Sequence, residues 1–265
     1  MMRIKLTVAY DGTNYHGYQS QVNGTAVQDV LEKALEELFG EPVRTMGASR
    51  TDAGVHALGN VAVFDRETRI APSKIAFALN ARLPGDIRIM DSCRVTDDFH
   101  PRFQSTVKTY EYRMRNCRFP NPLTRSIETH VYYPLDAEKM NEAAKRIIGE
   151  HDFASFAASG FSSNTTVRTI YDAGVRREGD CVIFSVTGNG FLYNMVRILS
   201  GTLIEIGTGK YPPEKMTAIL EARDRSAAGP TALAKGLVLK EIRYPDYHPE
   251  DAFPESSAGE AVGEK

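Results

Sequence analysis

Gly47-Ala48-Ser49-Arg50-Thr51-Asp52-Ala53-Gly54-Val55-His56 places an arginine, a carboxylate, a histidine and two glycines within ten positions. Its small residues allow a backbone to pass close to something else. Thr51-Asp52-Ala53-Gly54 is also ordinary turn chemistry, because Asp caps its neighbours and Gly supplies a positive φ. Asp52 is the stretch's one acid. Arg50, two residues before it, can lower its pKa and keep it ionised, or reach past it to a phosphate. A carboxylate so held is a candidate nucleophile or general base.

On either side the pattern alternates between strand and helix. Ile4, Leu6, Val8 and Tyr10 alternate, so residues 3–10 read as a strand ended by Asp11-Gly12-Thr13-Asn14. Tyr10-Asp11-Gly12-Thr13 looks like an aspartyl-phosphate loop, but Ala9 stands where that loop needs its other Asp. Thr25 and Gln28 read as a capping box, and apolar residues from Val27 to Leu38 recur at helical spacing until Gly40 and Pro42. Residues 42–46 suggest a further strand, residues 60–65 a strand, a helix from Pro72 through Leu79, and residues 86–91 a strand. The second half repeats this order. Strands are expected at 107–115, 167–177, 181–187 and 237–243, with a hairpin around Glu178-Gly179-Asp180, and helices at 136–148, 193–206 and 213–222. The expected fold is α+β: two ferredoxin-like (β-α-β-β-α-β) halves sharing one mixed, mostly antiparallel sheet with a cleft between them. The expected division is residues 1–100 carrying the Asp52 loop, 101–245, and an acidic, disordered tail at 246–265.

Composition bounds the function. With 265 residues, 42% hydrophobic and 25% charged, the chain has material for a sizeable core. No apolar run approaches the ~20 residues of a membrane helix, and the N-terminus lacks a signal-peptide apolar stretch. Cys93, Cys117 and Cys181 match no metal or redox spacing and read as buried free thiols of a reducing cytoplasm. The net charge is −2, but residues 246–265 hold six acids and one lysine, so residues 1–245 are net positive. Between Phe99 and Ser126 lie six basic residues and one acid, interleaved with Phe103, Tyr110, Tyr112 and Phe119. Such a mixture suits a surface that tracks a nucleic-acid backbone and stacks on bases, and it also suits a solvated strand face.

Three other stretches carry possible chemistry. Lys108, Tyr110 and Tyr112 share one strand face, where a phenol beside a cation can stack on a base or move a proton. Arg197 sits in an apolar helix start, Phe191 to Arg197, and a buried Arg wants a carboxylate. Asp97-Asp98 could pair for glycosidase chemistry, but a turn before a strand explains it better. Gly188-Asn189-Gly190 is no dinucleotide fingerprint, since Tyr193 occupies the third glycine position.

Together these stretches resemble the tRNA pseudouridine synthase A family. The decapeptide is close to that family's Ala-Gly-Arg-Thr-Asp-Ala-Gly-Val-His signature. Leu6–Tyr10 with Asp11-Gly12-Thr13, Asn80 to Ile87, Asp97 to His100, Lys108 to Tyr112, His151 to Phe156, and Phe191 to Arg197 with Gly201 occur in the same order and spacing. The resemblance covers roughly residues 3–245. It implies isomerisation of uridine to pseudouridine in the tRNA anticodon stem-loop, at positions 38, 39 and 40. It implies Asp52 as the catalytic aspartate, Arg197 as its partner, Tyr110 as the ring stacked on the target uracil and Arg50 as the side chain that helps flip the nucleotide. No metal or organic cofactor is implied, a homodimer is, and no membrane association is. Three positions depart from the pattern: Tyr18 stands for a common Trp, Ser49 for a common Gly, and Thr109 for an Arg found in some members. A non-catalytic RNA-binding module and a retaining N-glycosidase remain the rival readings.

Overall fold

The computed structural model describes residues 1–160 and 165–247. Most of the acidic tail, from residue 248 on, lies outside the described residues. Among those described there are ten strands: β1 (Met2–Tyr10), β2 (Met46–Gly47), β3 (His56–Arg66), β4 (Ile87–Val95), β5 (Val107–Asn116), β6 (Thr129–Val131), β7 (Gly149–Asp152), β8 (Val167–Glu178), β9 (Cys181–Gly188) and β10 (Leu237–Arg243). The α-helices are α1 (Val27–Phe39), α2 (Ile75–Asn80), α3 (Ala137–Lys145), α4 (Met195–Gly207) and α5 (Lys215–Ala222).

All ten strands join one sheet, in the order β4-β1-β3-β10-β5-β9-β8-β7, with β2 beside β3 and β6 beside β5. Only β3–β10 and β5–β6 pair in parallel. The order contains the same arrangement twice, β4-β1-β3-β2 and β10-β5-β9-β8, so the α+β fold with paired ferredoxin-like units stands. The two units meet along β3. Its first residues pair with β10 (His56 with Val238, Ala57 with Leu239), whereas Ala62 and Val63 pair with β2. β1 takes the other edge of β3 throughout, so β10 and β2 share one edge. That shared edge cannot hold both along its whole length. The β3–β10 ladder ends at Ala57, although Gly59 still lies against Lys240, and residues 48–52 with Val55 line the cleft where the two units face each other.

Alternation explains the layers. In β1, Ile4, Leu6, Val8 and Tyr10 are buried and point toward the helices, while the intervening residues face the other side. α4 is buried along nearly its whole length, as its apolar sequence demands. β10 and the β8–β9 hairpin match the expected spans, and Gly179 takes a positive φ of 58° in the turn.

Several local expectations need correction. α1 is capped by Asp29, whose carboxylate accepts from the Ala26 amide at 2.8 Å, and Thr25 and Gln28 form no box. The extra strand is two residues, β2, because β3 offers it only the edge that β10 leaves open. β6 and β7 were not expected; each is short and borrows its order from a longer neighbour. The three cysteines are all thiols, as expected, but only Cys181 is buried. No helix among the described residues is long and apolar enough to cross a membrane.

Candidate active site

Asp52 lies in the gap between the two units, on a loop that a buried polar network fixes. Tyr10 Oη and Thr51 Oγ1 are 2.7 Å apart. Asn60, fully buried on β3, donates through Nδ2 to Ser49 O at 3.1 Å and to Tyr10 Oη at 3.2 Å. Residues 49 and 51, on either side of Arg50, are thus pinned from beneath. Gly54 turns the chain with φ of 76°, and the Val55 amide returns to Asp52 O at 3.1 Å. His56 then latches the loop across the junction. Its Nδ1 accepts from the Gly12 amide at 3.0 Å, which leaves Nε2–H to donate to Ser126 O at 3.0 Å and Lys235 O at 3.2 Å.

Arg197 reaches the same place from the first turn of α4. Its Nη1 donates to Asp52 Oδ2 at 3.1 Å and to Asn194 Oδ1 at 2.8 Å, and its Nε donates to Ala232 O at 2.8 Å. Asn194 holds a left-handed backbone (φ 59°) just before the helix, a conformation Asn tolerates better than most residues. Both partners are largely buried, with side-chain exposures of 18% for Arg197 and 20% for Asp52. Burial raises the Asp52 pKa above the ordinary carboxylate value, and the Arg197 hydrogen bond and charge only partly oppose this. The expectation that a neighbouring arginine would hold Asp52 below its usual range therefore fails, because desolvation outweighs the ion pair. Arg50 takes no part in that balance. It is exposed, lines the cleft, and lies near Arg102, whose pKa its charge helps depress after burial.

Tyr110 of β5 faces Asp52 across the cleft. Its ring is packed edge-on against Phe191, with centroids 5.1 Å apart, and its hydroxyl is 3.1 Å from Ser49 Oγ. Burial first, and the Asp52 charge as well, push its phenol up to about 12, against the Ser49 hydrogen bond, so it stays protonated at neutral pH. The cleft has a volume of about 510 Å³ and is lined by Arg50, Asp52, Arg102, Lys108, Tyr110 and Tyr193, among others. Asp52, Arg50 and Tyr110 thus share one cavity, with Arg197 bound to Asp52 from behind. Among the described residues no group of three or more His, Cys, Asp or Glu stands ready to hold a metal.

The model of the tRNA pseudouridine synthase family matches residues 6–104 and 143–245. This chain belongs to that family. Its relatives include proteins named tRNA pseudouridine synthase A from Acetivibrio thermocellus (48% identical over 244 residues), Thermoanaerobacter pseudethanolicus (46% over 244) and Streptococcus thermophilus (44% over 247). In each case the match covers 92% of this chain and 100% of the relative.

Other stretches that looked chemical have structural duties. The basic block does not form one surface. Tyr112 is fully buried, and Arg113 and Arg115 turn to Glu128, the latter at 2.8 Å. Asp97 and Asp98 act on the charge of Arg3, away from the cleft. Thr109 faces its strand neighbour Thr187, with Oγ1 atoms 2.9 Å apart. Tyr18 is core, and its ring packs beneath Gly47. The sequence reading missed Asn60, Asn194 and the Ala232 carbonyl. Asn60 was the findable one, as an amide in the middle of an apolar strand.

Proposed function

We infer that this chain isomerises uridine to pseudouridine in tRNA, at positions 38, 39 and 40 of the anticodon stem-loop. The observation that carries this reading is Asp52 Oδ2 held 3.1 Å from Arg197 Nη1 in a cleft walled by Tyr110. A cleft of about 510 Å³ suits a single base removed from its stack. Arg50, exposed at the rim, occupies the space the base leaves. Asp52 acts as the carboxylate at ribose C1′, and the N1–C1′ bond breaks. The uracil turns over the Tyr110 ring, and C5 bonds to C1′. The proton lost from C5 is balanced by the one N1 gains, so the reaction needs no oxidant or reductant. Tyr110, a protonated phenol, holds the ring and serves the proton transfer.

Asp52 is thus the catalytic residue, Arg197 orients and charges it, and Tyr110 and Arg50 bind substrate. Residues 1–100 and 101–245 act as the two walls of the cleft. The working form is a cytoplasmic homodimer on which one tRNA spans two copies. Incubating the protein with unmodified tRNA and separating the nucleosides tests the reading. Pseudouridine is expected. Free uracil without pseudouridine would mean an N-glycosidase, and neither product would mean an RNA-binding module.

A further inference from the structure

Two cations in the cleft have no part in the chemistry above. Lys108 lies on the same face of β5 as Tyr110, two residues away, or roughly 7 Å along the strand. Its Nζ meets Ala48 O at 3.4 Å, a long and weak hydrogen bond. Arg102 donates through Nε to Gly47 O at 2.6 Å and leaves the rest of its guanidinium to the cleft. Among the described residues, neither cation forms an ion pair with a carboxylate. Four basic residues elsewhere on the sheet are paired: Arg113, Arg176 and Lys240 with Glu111, Arg115 with Glu128.

We propose that Lys108 and Arg102 form a binding site for one backbone phosphodiester of the RNA, next to the nucleotide placed over Tyr110. The site rests on the reaction assigned to Asp52. Its spacing suits the ligand, since a phosphate lies about one ribose from its base and Lys108 stands roughly 7 Å along the strand from Tyr110 in the same cleft. Both cations are tied to carbonyls of Gly47 and Ala48, which lead directly into the Asp52 loop. A phosphate caught there is registered against the catalytic carboxylate. The like charges also need an anion. Burial, then the charges of Arg102 and Arg168, bring the Lys108 ammonium down to about 8, a cost that a bound phosphate relieves.

The test uses the full chain and an unmodified anticodon stem-loop RNA. Binding is measured across a salt series for wild type, Lys108→Met and Lys108→Arg. For every phosphate no longer neutralised, the slope of log Kd against log salt falls by about 0.7 for a single strand and about 0.9 for a duplex. Lys108→Met is expected to show a fall of about that size, and Lys108→Arg to restore the slope. A neutral methylphosphonate at the linkage beside the target uridine should weaken wild type more than Lys108→Met, in which only Arg102 still meets that phosphate, so the two changes together cost less than the sum of each alone. A wild-type slope in Lys108→Met, or additive effects of the two changes, would overturn the site. Should wild type make pseudouridine while Lys108→Met keeps the wild-type slope, only the phosphate site fails. Should wild type make none, the reaction assignment itself fails.

Discussion

Replacing Arg197 with alanine removes the donor that stands 3.1 Å from Asp52 Oδ2 and leaves a carboxylate only 20% exposed without its counter-charge. A hydrogen bond to a charged group is worth roughly 1.5–3 kcal/mol. If that support is felt in the transition state, turnover at neutral pH falls on the order of 10- to 150-fold. The pH dependence carries more information than the size of the loss. In the wild type, burial raises the Asp52 pKa and Arg197 pulls against it. Without Arg197 only burial remains, so the pKa rises further and fewer molecules hold the reactive carboxylate at any given pH. The acid limb of kcat/KM must therefore move to higher pH, and the deficit must be largest in acid and shrink as pH rises. Uridine tritiated at C5 gives the assay, since the label enters water as the new carbon–carbon bond forms. A loss of equal size from about pH 5 to about pH 8, with the acid limb in its wild-type place, would refute the reasoning.

Three further outcomes follow from the same geometry. The folded-state pKa of Asp52 is raised, so its ionisation works against folding; the wild type should gain stability relative to Asp52→Asn as pH falls through that pKa and lose it as pH rises, measured by thermal midpoints across pH. A Cβ at Gly201 would stand 1.8 Å from Pro230 O, so Gly201→Ala should cost about 1–3 kcal/mol in a denaturant titration and, by moving the loop that supplies Ala232 O to Arg197, lower turnover as well. Tyr110→Phe keeps the ring but loses the hydroxyl bonded to Ser49, so tRNA Kd should stay within about threefold while turnover falls on the order of 10²- to 10⁴-fold; Tyr110→Ala should also weaken binding by about 1–3 kcal/mol.

What could be read from the sequence was what local chemistry decides. The β8–β9 turn announced itself as Glu178-Gly179-Asp180 between alternating strands, and Gly40 marked the end of α1 with a positive φ of 76°. Thr25 misled because a hydroxyl before a helix looks like a cap, whereas the chain lets Asp29 reach back from inside. β6 and β7 are too short to alternate, and their neighbours β5 and β8 impose their conformation. At the site, the Asp52 decapeptide was conspicuous, but its partner lies 145 residues away on α4, and no local pattern joins them. Only the family resemblance linked the two. The direction of the Asp52 pKa was beyond any sequence argument, since it depends on how completely the folded cleft removes water from a carboxylate that also has a cation beside it.

Mapping pseudouridine along an unmodified tRNA after exposure to wild type and to Asp52→Asn tests the central claim most directly. Wild type should place pseudouridine among positions 38 to 40 of the anticodon stem-loop, and Asp52→Asn should bind the same tRNA yet leave every uridine unchanged. Equal yields from the two proteins would show that the carboxylate held by Arg197 does not do the chemistry.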